Sequence, residues 1–124
     1  MQMIHFRFMD LDIWKDSIMI SNELYDIADN LEESKKFRWV EQLRGASLSI
    51  SNNIAEGSGS YSNKDFANFL NIARRSVFEV VNILIVINRR TYINDEILNN
   101  YLSQLDALSR KISNFRKSIL KNKY

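Results

Sequence analysis

From Phe66 to Ile87 the apolar residues Phe66, Leu70, Ala73, Val77, Val80, Leu84 and Ile87 recur at alternating spacings of four and three. Seven apolar positions in that rhythm describe one buried face of an α-helix, and no strand keeps such a period. A helix from Asn63 to about Arg90 is roughly 42 Å long at the usual rise per residue, so the elements that cover it must be long as well. A second line, Phe69, Ile72, Phe78, Val81 and Ile85, widens the stripe beyond what one neighbour hides. This helix is therefore either central or also meets another subunit.

Three other segments carry the same signal. Ile13, Ile20, Leu24, Ile27 and Leu31 mark a first helix at about residues 9–31, with Asp10, Asp12 and Asp16 crowding the end where the helix dipole favours acids. Val40, Leu43, Ala46 or Ser47, Ile50 and Ile54 mark a second at about residues 35–56, with Ser34 as its expected cap. Tyr101, Leu105, Leu108, Ile112, Phe115 and Ile119 mark a fourth at about residues 95–121, capped by Asn94. Gly57 and Gly59 are expected to close the second helix in the left-handed conformation, and Ser62 to cap the third, at about residues 63–90. With short polar links, the whole chain, residues 1–124, reads as one all-α domain, an up-down-up-down antiparallel four-helix bundle.

Composition removes several kinds of chemistry. There is no cysteine, which excludes thiolate metal sites and disulfides and fits a reducing compartment. The one histidine, His5, precedes the helices, so neither a carboxylate–histidine metal site nor a serine nucleophile with a histidine base is built here. The Gly57–Ser60 stretch lacks the lysine and preceding strand of a phosphate-binding loop. No cofactor or metal is implied and no enzyme is expected. No apolar run approaches the roughly 20 residues that cross a bilayer, and the N-terminal segment does not resemble a secretion signal, so the protein reads as cytoplasmic with no membrane partner.

Charge is polarised. Residues 1–34 hold two basic groups against eight acidic ones, and residues 35–124 hold fifteen against seven. Arg110, Lys111, Arg116, Lys117, Lys121 and Lys123 fall in the last eighteen residues with no acid among them. Positions 110, 117 and 121 lie near one helical face, so the fourth helix could present a cationic ridge to phosphates, joined by Arg74 and Arg75. The rival reading is contact between subunits, the acidic first helix facing basic residues of a neighbour. Aromatic residues are not interleaved with the cations as on single-strand binding surfaces, so base stacking is not indicated. Glu56, at the unfavourable end of the second helix, is expected to take hydrogen bonds from Arg74 or from the start of the third helix, as a structural clasp that Asn53 joins.

The stretch containing Gln42, Ala46, Ser49, Ile50, Asn53, Ile54, Ala55, Glu56 and Gly57, then Asp65, Phe66, Phe69, Leu70, Ile72, Ala73, Ser76 and Glu79, resembles the bacterial four helix bundle proteins encoded in intervening sequences of 23S ribosomal RNA genes. The match covers about forty residues well and Leu11, Ile13 and Trp14 resemble the family's opening. Ser60 stands where that family usually has arginine, no proline precedes the second helix, and Gly45 and Arg75 look like an exchange of the family's arginine and glycine. On that reading Arg75 fills space beside Gly45, and Gly45→Arg would overpack the contact. The resemblance implies a left-handed bundle, commonly a homopentameric ring, without known catalytic activity. The family is in turn similar to the accessory protein of diversity-generating retroelements, a basic pentamer that binds nucleic acid and a reverse transcriptase. The expected partners are thus other copies of the chain, RNA or DNA, or a reverse-transcriptase-like protein.

Overall fold

The computed structural model describes residues 2–121. A 3-10 turn, Arg7–Asp10, leads into four α-helices: α1 Asp12–Glu33, α2 Phe37–Ser58, α3 Asn63–Arg89 and α4 Asp95–Lys121. Each helix packs on its neighbour in the chain, α2 on α3 most extensively, and α1 meets α4 over a shorter stretch to close an antiparallel bundle. The described residues contain no strand.

The periodic seams form the core. All seven residues of the α3 stripe are at most 1% exposed, and Leu24, Leu43, Ile50, Ile54, Leu105 and Ile112 are fully buried opposite them. The second α3 line is only partly covered: Ile72 and Phe78 remain exposed, while Phe69, Val81 and Ile85 are half-buried.

Helix starts divide into those set by local chemistry and those set by the chain's path. Ser62 accepts from the Asp65 N–H at 3.1 Å and Asn94 accepts from the Ile97 N–H at 2.8 Å, so α3 and α4 begin at their expected caps. Ser34 does not cap α2; it closes α1, and α2 starts at Phe37 behind Lys36, whose side chain makes no capping bond. The reason is a reversal at Lys35, which takes φ 60° and lets the Lys36 N–H reach the Leu31 carbonyl at 2.8 Å. The same device ends α3, where Thr91 at φ 65° brings the Tyr92 N–H to the Ile87 carbonyl at 2.9 Å.

The glycines do not adopt the left-handed conformation expected of them. No glycine among the described residues has positive φ, and Gly59 sits at −83°. Gly57 lies inside the last turn of α2, and its role is closeness. A Cβ there would stand 2.6 Å from the Phe69 Cβ and 2.8 Å from the Phe66 ring. Met9 and Asp10, read as helical, belong instead to the 3-10 turn, and the extended backbone of Leu11 separates it from α1. That turn packs Phe8 edge-on against Trp14 with ring centroids 5.2 Å apart.

Candidate nucleic-acid interface

Several family-motif residues line the contact between α2 and α3. The Asn53 amide donates to the Ser49 carbonyl at 2.8 Å and to its hydroxyl at 3.1 Å, and the Ser49 and Ser76 hydroxyls share a hydrogen bond at 2.9 Å. Small side chains thus satisfy one another where two helices run close, a structural use of the motif. Glu56 takes no part. It is exposed and, among the described residues, makes no side-chain hydrogen bond or ion pair, so the expected clasp with Arg74 is absent. An exposed carboxylate gains little from a fixed partner. The turn is held from another side: the Arg7 guanidinium donates to the Ser58 carbonyl and lies 5.6 Å from the centre of the Phe66 ring.

Gly45 and Arg75 do not pack together either. Nothing lies within 4 Å of a Cβ built at Gly45, and both residues are exposed. Position 45 therefore carries a helix-propensity defect without a packing role. Gly45→Ala should stabilise the protein by about 0.5–1 kcal/mol, read as a higher urea midpoint at unchanged slope.

The basic residues separate into committed and available groups. Lys111 pairs with Asp16 of α1 at 2.7 Å, and this bond raises its pKa above the usual lysine value. Arg116 donates to the Ala67 carbonyl at 3.0 Å, holding α4 to the start of α3. Arg44 pairs with Asp29 and Glu32, so part of the acidity of α1 is also neutralised within the chain. By contrast Arg74, Arg110 and Lys117 line one groove of about 400 Å³ between α3 and α4, together with Phe78, Asn114 and Asp106. Arg74 lies over the Phe78 ring, 4.7 Å from its centre, and its Nε is buried with no hydrogen-bond partner among the described residues. Arg110 donates to Asp106 at 3.0 Å, an exposed pair within one helix that competes weakly with another anion. Arg75 and Lys121 are exposed outside this groove, and Lys123 lies outside the described residues.

A second basic cluster was not anticipated. The reversals at Lys35 and Thr91 bring the α1–α2 and α3–α4 links to the same end of the bundle, where Lys36, Phe37, Arg38, Trp39, Arg90 and Tyr92 line a depression of about 380 Å³. The Lys36 ammonium and the Arg90 guanidinium lie 4.9 and 5.8 Å from the centre of the Tyr92 ring. A hydrogen bond from Arg90, at 3.4 Å, lowers the Tyr92 pKa, whereas burial raises those of Tyr25 and Tyr101. The signal was present in the run Lys35 to Trp39, where bases and aromatics do alternate. Its other half arrives from more than fifty residues away.

No helix among the described residues is long and apolar enough to cross a membrane. A search of curated proteins finds no match. A crystal structure of a protein of unknown function from the S23 ribosomal protein family, from Bacteroides thetaiotaomicron, shares the fold with a TM-score of 0.80 and 24% sequence identity, covering 85% of this chain and 98% of that one. At that identity the likeness establishes the fold alone. Residues 9–114, spanning nearly all of the bundle and the whole Asn53–Gly57 motif, match the 23S rRNA-intervening sequence protein family, and the chain belongs to that family.

Proposed function

We propose that this protein is a non-enzymatic, oligomeric helical bundle of the cytoplasm that binds RNA or DNA through phosphate contacts in the α3–α4 groove. The observation that carries the reading is the convergence of Arg74, Arg110 and Lys117 on one groove. A phosphate there would accept charge-assisted bonds from these side chains, each about twice as strong as a neutral one. Self-association into a ring, five copies in the form the family resemblance suggests, is supported by Ile72 of α3 and Leu48 of α2, exposed apolar residues that do not line the groove. Repetition around a ring multiplies a modest field.

The rival reading, charge asymmetry used only for assembly, loses ground because Asp16, Asp29 and Glu32 are satisfied inside one chain. Nucleic-acid binding measured across a salt series separates the two. Affinity should fall steeply with salt, and Arg110→Gln with Lys117→Gln should lower the slope of log K against log salt by about 1 for each phosphate no longer neutralised. Failure of the unmodified protein to bind any nucleic acid at low salt would remove the reading, and the mass of the intact assembly checks the ring.

A further inference from the structure

The end of the bundle formed by the α1–α2 and α3–α4 links differs from the α3–α4 groove, whose lining has a single ring, Phe78, and includes the acid Asp106. No acidic side chain is among the groups that line it, and four cations, Lys35, Lys36, Arg38 and Arg90, stand there among the rings of Phe37, Trp39 and Tyr92. Phe37 is 60% exposed at the first position of α2, flanked in sequence by two of those cations. Phe37 does not stand alone: it shares the depression with the rings of Trp39 and Tyr92. The start of α2 has no acid in its first turn and no side chain capping its N–H groups, so the helix dipole adds to the same positive field. Of the acids near these links in the chain, Glu32 is paired with Arg44, while Glu33 at the end of α1 and Asp95 and Glu96 in the first turn of α4 do not line the depression. Across Lys36 and Tyr92 a second cleft of about 210 Å³ adjoins, walled by Ile27, Leu31 and Ile93 and including Asn30.

We infer that this end of the bundle binds single-stranded nucleic acid, with an unpaired base stacked on Phe37 and the flanking phosphates held by Lys36, Arg38 and Arg90. Duplex hides its base faces, so it can use the cations but not the ring. An acidic peptide could satisfy the cations but gains nothing comparable from Phe37. The apolar cleft beside Tyr92 suits a second base, with the Asn30 amide within it able to bond a base edge. The inference deepens the proposed function by naming the form of nucleic acid, and it rests on that reading. The two sites are well separated: positions 74 and 90 lie about 24 Å apart along the α3 axis.

The test uses the full chain and two fluorescein-labelled probes, an oligothymidylate of about ten nucleotides and a duplex, at equal low salt. The unmodified protein should prefer the single strand. Phe37→Ala should weaken single-strand binding roughly ten- to a hundredfold and leave duplex binding unchanged, while Phe37→Tyr retains the affinity. Phe37 is exposed, so the circular dichroism and urea midpoint of both variants should match those of the parent. Arg110→Gln with Lys117→Gln should weaken both probes and preserve the effect of Phe37→Ala. Equal single-strand binding by Phe37→Ala and the parent overturns the inference and leaves the proposed function standing. If Phe37→Ala instead weakens binding of an acidic peptide such as polyglutamate and spares the oligonucleotide, the inference is also overturned. No binding of either probe by the unmodified protein removes both.

Discussion

Gly57→Ala is expected to lower the thermal midpoint by about 10 °C, corresponding to about 3 kcal/mol for a domain of this size. One methyl group has this effect because of where it points. The nearest atom it meets is the Phe69 Cβ at 2.6 Å, and the next is the Phe66 ring at 2.8 Å. A Cβ is fixed to the backbone, so no rotamer of Phe69 relieves the contact. Phe66 is only 1% exposed and cannot swing out without opening the core. The end of α2 must therefore move away from α3, its most extensive packing partner. The other glycines provide internal controls. At Gly59 the nearest atom to an added Cβ is the Glu56 carbonyl oxygen at 3.4 Å, a snug contact, and at Gly45 there is open space. Thermal unfolding followed by circular dichroism should therefore rank alanine at 57 far below alanine at 59, with alanine at 45 above the parent. An unchanged midpoint for Gly57→Ala would contradict the close approach of α2 and α3.

This contrast also marks what sequence can and cannot say about such a chain. The α3 stripe was legible because its period alone selects the buried face, and the caps at Ser62 and Asn94 were legible because capping is decided within four residues. Gly57 was noticed for the wrong reason: next to a helix end, a glycine that permits close packing looks the same as one that turns the chain. The residues that do turn left-handed, Lys35 and Thr91, belong to types with no signature for it; both are exposed, and the conformation goes with the backbone bonds that close α1 and α3. Site residues follow the same division. The identity of every cation could be read off, but which are occupied could not, because Lys111 meets Asp16 across 95 positions and Arg116 meets Ala67 across 49. The bundle-end cluster was half visible in the Lys35–Trp39 run and became a groove only when Arg90 and Tyr92 folded onto it.

Phe66→Ala is expected to destabilise the protein by about 3–5 kcal/mol, the usual range for removing a buried phenylalanine. Phe66 joins four parts of the chain: its ring stands edge-on to Phe115 of α4 at 5.7 Å and 71°, lies beneath Arg7 of the N-terminal turn, and reaches to 2.8 Å of where a Cβ on Gly57 of α2 would stand. Neighbouring backbone cannot collapse into the space, because the Asn63 amide ties the start of α3 to the Ile119 carbonyl at 3.0 Å and Arg116 ties α4 to Ala67. The cavity therefore stays, and the result belongs toward the upper part of the range. A double-mutant cycle with Gly57→Ala tests whether the two residues share one contact. In the Phe66→Ala background the methyl at 57 is free of one of its two obstacles but still faces the Phe69 Cβ, so its penalty should shrink without vanishing, by about 1 kcal/mol of coupling. Urea midpoints of the four proteins give that number directly. Strict additivity would mean that α2 avoids the methyl by moving against Phe69 alone, and that Phe66 fills the core without setting the distance between the middle helices.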